Sequence, residues 1–147
     1  MGTVLIATTN EVVEEKLFRA AKQYVSGNDD EILSYWVVDE QEYLDDIQRK
    51  AWSGEGGKNV SEALQPTVER HEKITAEIFG DSVTYDTLTE FGTPPDDILE
   101  KATEYDCDHL FVTGRKRSPT GKVLFGDTAQ QIILNFDGVV TITTIEK

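Results

Sequence analysis

Several kinds of site and segment are missing from this sequence of 147 residues. Its single cysteine, Cys107, excludes a disulfide within the chain and suits a reducing compartment. Two histidines and one cysteine are too few for a zinc site built from His and Cys. No apolar run approaches the roughly 20 residues of a membrane-spanning helix. The start, MGTVLIATT, lacks a basic segment ahead of its apolar residues, which favours a core strand over a signal peptide. These absences predict a cytoplasmic protein with no membrane partner.

Basic residues are also scarce. The chain has 14 Lys and Arg against 28 Asp and Glu, which gives a formal net charge of −14. Such a surface repels the phosphates of nucleic acids and anionic lipids over most of its area, so we expect neither as a partner. Two interpretations of the acidity stay open: adaptation to high salt, as in halophilic proteins, or an ordinary acidic cytosolic protein.

Four short apolar runs and one stretch of alternating polar and apolar residues are interspersed with four segments of helical periodicity. The predicted strands are residues 3–8, 32–38, 82–91, 109–114 and 139–145. Buried strands that alternate with amphipathic helices indicate an α/β fold with a parallel, open, doubly wound sheet. No repeat, linker or second domain is visible, so residues 1–147 are predicted to form a single domain.

Prolines give two local predictions. Pro66 lies inside the second helical pattern and is expected to kink that helix or to mark a restart. Thr93-Pro94-Pro95-Asp96 is predicted to start the third helix, with the Thr93 hydroxyl as its N-cap.

The stretch TGRKRSPTGKVLFGDT, residues 113–128, concentrates basic charge in an acidic chain. Arg115, Lys116, Arg117 and Lys122 lie within eight positions, directly after the predicted fourth strand. The last helix is predicted to begin near Asp127, so its free backbone N–H groups would face the same place. A basic loop beside a helix N-terminus indicates an anion site for phosphates. A solvated loop that only balances its acidic neighbours is the alternative.

Two common nucleotide motifs are absent. A Walker A loop requires a glycine at Lys116 and a hydroxyl at Val123, and it would follow the first strand rather than the fourth. The dinucleotide fingerprint G-x-G-x-x-G is also missing after the first strand, where ATTNEV stands.

The pattern of residues resembles the universal stress protein family over essentially the whole chain. In that family a motif Gly-x2-Gly-x9-Gly-[Ser/Thr] follows the fourth strand. Counting back from Gly126 places its first two glycines at Thr113 and Lys116 and its hydroxyl at Asp127, with Gly114 and Thr128 adjacent. The Pro-Thr-Asp sequence that ends the family's first strand corresponds to Ala7, Thr8 and Thr9.

The resemblance implies strand order 3-2-1-4-5 and an adenine nucleotide alpha hydrolase-like fold. It also implies a stress-response sensor or regulator that binds ATP, with Mg²⁺ as a companion ion, and a homodimer formed through the strand Val139–Ile145. Thr9, Lys116 and Asp127 depart from the family motif. These departures keep open an alternative, a dimeric protein-interaction module in the stress response that binds no nucleotide.

The predicted nucleotide site combines the strand ends with the basic stretch. Base and ribose are expected against Ala7, Thr9, Val38 and Val112, and phosphates against Arg115, Lys116, Arg117 and the backbone around Gly126, Asp127 and Thr128. Thr8, next to the first group, and Thr113 and Gly114, next to the second, complete the predicted site. No nucleophile stands beside a placed base, so we expect no catalytic residue and at most a weak ATPase. His71, Cys107 and Trp36 are predicted to pack in the core, and His109 to make a hydrogen bond at the surface.

Overall fold

A computed structural model of the chain describes residues 2–9, 15–41, 44, 60–116 and 127–146. Its main elements are β1 (Thr3–Thr9), α1 (Glu15–Ser26), β2 (Glu31–Asp39), α2 (Val60–Phe79), β3 (Tyr85–Gly92), α3 (Asp96–Glu104), β4 (Cys107–Lys116), α4 (Asp127–Asn135) and β5 (Val139–Glu146). Among these residues, no helix has the length and apolarity needed to cross a membrane.

The five strands form one sheet in the order β3-β2-β1-β4-β5, and every neighbouring pair is parallel. This confirms the predicted class and strand order. β1 lies at the centre, and residues 4–8 are all buried because helices cover both faces of a parallel sheet. We call the edge where the strands begin the amino edge and the edge where they end the carboxyl edge.

Alternation along the strands separates two apolar cores. Val4 and Ile6 of β1 pack with Leu17 and Phe18 of α1 and with Phe79 of α2. Leu5 and Ala7 point the other way, into a cluster that contains Ile98 of α3 and Ile132 of α4. The sheet therefore has an α1–α2 face and an α3–α4 face, and each helix contributes its apolar stripe to one of them.

Element boundaries differ from the predictions where local contacts decide them. β3 begins at Tyr85, three residues later than predicted, because Ser82 belongs to the turn that closes α2. Both the Ser82 backbone N–H and its hydroxyl donate to the Phe79 carbonyl, at 3.1 and 2.7 Å. β4 is two residues longer than predicted at each end, and it extends through Lys116 because Arg115 and Lys116 still pair with β5.

The structure corrects one part of each proline prediction. α2 is one helix of 20 residues, so the restart predicted at Pro66 is wrong; Pro66 is exposed, on the side where water can solvate the backbone. The Thr93 hydroxyl is not the N-cap of α3. Pro95 holds that position without a side-chain hydrogen bond, and the Asp97 carboxylate instead accepts from the Thr93 backbone N–H at 2.8 Å.

Candidate functional site

β1 and β4 are neighbouring strands, and the helices that follow them cover opposite faces of the sheet. Ile6 of β1 pairs with Phe111 of β4, so the two parallel strands lie side by side and both end at the carboxyl edge. α1, which follows β1, packs on one face, and α4, which follows β4, packs on the other. In doubly wound sheets this divergence opens the crevice in which ligands bind.

The residues predicted for the base and ribose side fall into two groups. Ala7, Thr8 and Val112 are buried, and both Ala7 and Val112 belong to the core of the α3–α4 face. Thr9, the last residue of β1, and Val38, the penultimate residue of β2, are half-buried, and Thr9 pairs with Val37. The accessible surface of this side therefore comes from the strand tips, while the deeper residues form its floor.

The residues predicted for the phosphate side lie around the end of β4. Thr113 is half-buried and Gly114 is buried within the strand. Arg115 and Lys116 are the last residues of β4, paired with Ile145 and Glu146, rather than the first residues of a loop. Asp127 is the first residue of α4, and Thr128 after it is half-buried. Arg117 and Gly126 lie outside the described residues.

Thr143 of β5 is a polar residue near the crevice that the sequence analysis missed. It pairs with Thr113 and is 7 % exposed, and its hydroxyl has no hydrogen-bond partner among the described residues. The Thr8 hydroxyl, 5 % exposed, is in the same situation. Alternation places Thr8, Thr113 and Thr143 on the α1–α2 face of three adjacent strands. Only the register between β4 and β5 reveals this row, and the sequence does not encode that register locally.

His71 of α2 is confirmed as a packed histidine. Its ring is fully buried, with Nε2 2.7 Å from the Ser34 hydroxyl and Nδ1 2.8 Å from the Thr89 hydroxyl. The ring also meets Trp36 edge-on, with centroids 5.4 Å apart. Burial disfavours the charged imidazolium and lowers the pKa of His71 to about 4. With both nitrogens engaged and no access from the crevice, His71 is no base for a bound ligand.

The surface hydrogen bond predicted for His109 is wrong. Because β4 begins at Cys107, His109 is the third residue of an interior strand and is 5 % exposed. Its Nε2 lies 2.7 Å from the Thr141 hydroxyl of β5, and its ring stacks on Phe111 with centroids 4.4 Å apart. Burial lowers the pKa of His109, although Asp108 and Asp30 oppose this. Cys107 and Trp36 are buried as predicted.

The described residues bring together no metal-binding group of three or more His, Cys, Asp or Glu side chains. Within that part of the chain, the carboxyl edge presents hydroxyls and apolar side chains at the strand ends. The backbone of β4 ends there, and the backbone of α4 begins there. These groups suit the binding of a polar ligand with an apolar ring.

Comparisons with known proteins agree with this architecture. The family model described as the universal stress protein family matches residues 1–143. The hypothetical protein MJ0577 superposes with a TM-score of 0.74 at 14% identity, covering 99% of this chain and 97% of that one. A universal stress protein from Archaeoglobus fulgidus has a TM-score of 0.65 at 23% identity over 97% and 98% of the two chains.

A further structure, the universal stress protein from Archaeoglobus fulgidus in complex with dAMP, has a TM-score of 0.64 at 17% identity over 97% of both chains. No curated protein matches significantly in sequence. At these identities the structural likeness establishes the fold, and the family model covers nearly the whole chain. The chain belongs to the universal stress protein family.

Proposed function

We propose that this protein binds an adenine nucleotide, ATP above all, at the carboxyl edge and acts as a sensor or regulator in the stress response. The observation that carries the proposal is the divergence of α1 and α4 to opposite faces from the adjacent strands β1 and β4, the arrangement beside which doubly wound sheets bind ligands. A structural relative from Archaeoglobus fulgidus holds dAMP. In this proposal Thr9 and Val38 contact the base and ribose, above a floor of Ala7, Thr8 and Val112.

The phosphates are proposed to lie between the end of β4 and the start of α4. The backbone of α4 begins at Asp127, and the first N–H groups of a helix attract anions. Arg115, Lys116 and Arg117 supply positive charge there in a chain whose net charge is −14. Asp127 is the motif's one carboxylate for a Mg²⁺ ion that accompanies ATP.

Calorimetric titration with ATP, ADP and AMP tests this proposal. Charge-assisted hydrogen bonds contribute about 1.5–3 kcal/mol each, so Lys116→Ala/Arg117→Ala is expected to weaken ATP binding by roughly a hundredfold. Arg19→Ala/Lys73→Ala removes the same charge from α1 and α2 and is expected to leave the affinity within about threefold. If Lys116→Ala/Arg117→Ala binds ATP as tightly as the unchanged protein does, the proposed phosphate site is refuted.

The alternative function is that of an interaction module that binds no nucleotide. Three departures from the family motif favour it: Thr9 replaces an aspartate, Lys116 a glycine and Asp127 a hydroxyl. A carboxylate at Asp127 repels phosphate unless neighbouring cations offset it. If millimolar nucleotide produces no heat with folded protein, the alternative replaces the nucleotide proposal.

We also propose a homodimer formed through β5. The sheet has two edge strands, and β3 carries Asp86 and Glu90, whereas β5 has no charge before Glu146. Charged residues protect a strand edge against pairing, and β5 lacks this protection. Light scattering is expected to give a dimer mass at micromolar concentration, and Val139→Lys should raise the dissociation constant at least about tenfold. A monomer mass at both moderate and high salt would contradict the dimer.

A further inference from the structure

β1 and β4 stop pairing with each other before either strand ends. Their last shared pair is Ile6 with Phe111. β1 continues beside β2 as far as Thr9, and β4 continues beside β5 as far as Lys116. Within the described residues, no ladder therefore joins β1 and β4 over their last residues. Backbone N–H and C=O groups that these strand ends turn toward each other need partners from elsewhere.

The side chains on the α1–α2 face change from apolar to hydroxyl at the same level. Ile6 and Phe111 belong to the apolar cluster beneath α1, and the next residues of β1 and β4 on this face are Thr8 and Thr113. Thr113 in turn pairs with Thr143 of β5. We call Thr8, Thr113 and Thr143 the hydroxyl row. It crosses β1, β4 and β5 where the ladder between the first two strands has ended.

Two hydroxyls of this row are buried without a partner among the described residues. Thr8 is 5 % exposed and Thr143 is 7 % exposed. Other buried hydroxyls of the same face are bonded: Ser34 lies 2.7 Å from the His71 ring, and the Thr75 hydroxyl donates to the His71 carbonyl at 3.0 Å. An unpaired buried hydroxyl destabilises a fold, and valine would give a similar shape without this cost. The two threonines therefore point to a partner that the described residues do not supply.

The chemistry and spacing of the hydroxyl row restrict the kind of partner. Each threonine hydroxyl is neutral and both donates and accepts hydrogen bonds, so the row suits a neutral group with hydroxyls of its own rather than an ion. Neighbouring strands lie about 4.8 Å apart, so Thr8 of β1 and Thr143 of β5 are about two spacings apart. One water molecule, with hydrogen bonds of about 2.8 Å, cannot reach both. A group that carries two adjacent hydroxyls spans a longer distance and can bond to both threonines at once.

We propose that the hydroxyl row binds the two ribose hydroxyls of the nucleotide, so that the protein prefers ribonucleotides to deoxyribonucleotides. This inference rests on the proposed nucleotide function and goes beyond it by making β5 part of the site. The Thr8 and Thr143 hydroxyls find their partners only in the complex. An analogue that lacks a ribose hydroxyl leaves a threonine unpaired again, and a site built to bond a hydroxyl rejects such an analogue for this reason.

Calorimetric titration of the full chain with ATP, 2′-deoxy-ATP and 3′-deoxy-ATP tests the inference. We expect ATP to bind at least about tenfold more tightly than either deoxy analogue. Thr8→Val/Thr143→Val is expected to remove this preference, so that the affinities for the three nucleotides lie within about threefold of one another. Because the removed hydroxyls have no partner among the described residues, the variant should unfold at no lower temperature than the unchanged protein.

Thr141→Val is the matched control. It makes the same change on the same face of β5, but the Thr141 hydroxyl lies 2.7 Å from His109 Nε2, so this variant should keep the preference for ATP. Equal affinities of the unchanged protein for ATP and both analogues would overturn the inference while the proposed nucleotide function stands. Absence of binding by all three nucleotides would overturn both. If Thr8→Val/Thr143→Val weakens the binding of all three by the same factor, the row contacts the base instead of the ribose. Loss of the preference in Thr141→Val would also overturn the inference.

Discussion

The two faces of the sheet differ in how many buried polar side chains they contain. All six buried polar side chains of the described residues lie on the α1–α2 face: Thr8, Ser34, His71, Thr75, His109 and Thr143. The buried residues of the α3–α4 face are apolar apart from Tyr35 and Cys107. The Tyr35 hydroxyl reaches outward to Glu90 at 2.8 Å, and burial together with this carboxylate raises its pKa.

The buried polar groups of the α1–α2 face differ in how many hydrogen-bond partners they have. His71 has a hydroxyl at each ring nitrogen, whereas the described residues offer His109 a partner only at Nε2. A buried polar group without a partner costs about 1–3 kcal/mol. The α2 half of this face is therefore a satisfied network that stabilises the fold. Thr8 of β1 and the β4–β5 half carry polar groups for which the described residues offer no partner.

We expect the largest loss of stability when His71, which joins Ser34 and Thr89, is replaced. His71→Ala leaves a cavity and deprives the Ser34 and Thr89 hydroxyls of their partner, so we expect about 3 kcal/mol of destabilisation in urea unfolding. Tyr35→Phe is the control on the other face. It removes one hydrogen bond to the half-buried Glu90 and is expected to cost about 1 kcal/mol. Equal costs would contradict the distinction between the faces.

A pH titration of stability sharpens the comparison further. The pKa of His71 is about 4 in the fold against 6.5 unfolded, so the unfolded chain binds more protons between these values. Stability is therefore full above pH 6.5 and falls as the pH drops toward 4. We expect His71 to account for a loss of about 2 kcal/mol between pH 7.5 and pH 5.

His71→Gln retains a donor and an acceptor but does not titrate, so it is expected to flatten this dependence. Trp36 lies against His71, and its emission in a Trp52→Phe background can follow the transition locally. An unchanged slope in His71→Gln would show that other groups, such as His109, govern the acid response.

The smallest effect is expected from Thr143→Val. The substitution preserves shape and removes a buried hydroxyl that has no partner among the described residues. Thermal unfolding should show a gain between zero and about 1 kcal/mol. Destabilisation by more than about 1 kcal/mol would mean that this hydroxyl has a partner in the folded protein.

Local patterns predicted the fold well and the histidines unevenly. Four apolar runs and the alternating stretch 82–91 identified all five strands, and helical spacing placed His71 correctly on the buried side of α2. His109 was misjudged because its neighbours Asp106 and Asp108 look like surface residues, and only the extended start of β4 puts the ring beneath α1. The polarity of neighbouring residues is a poor guide to solvent exposure where a buried strand begins.

By itself, the sequence determined the elements, their alternation and the acidic charge, because hydrophobic periodicity and composition act locally. The likeness to a family added the strand order. Only the tertiary structure decided which side chains meet. The Ser34–His71–Thr89 contacts join residues from β2, α2 and β3, and the row Thr8, Thr113 and Thr143 crosses three strands. Such contacts depend on register and helix placement, which are set by packing over the whole domain rather than by any one segment.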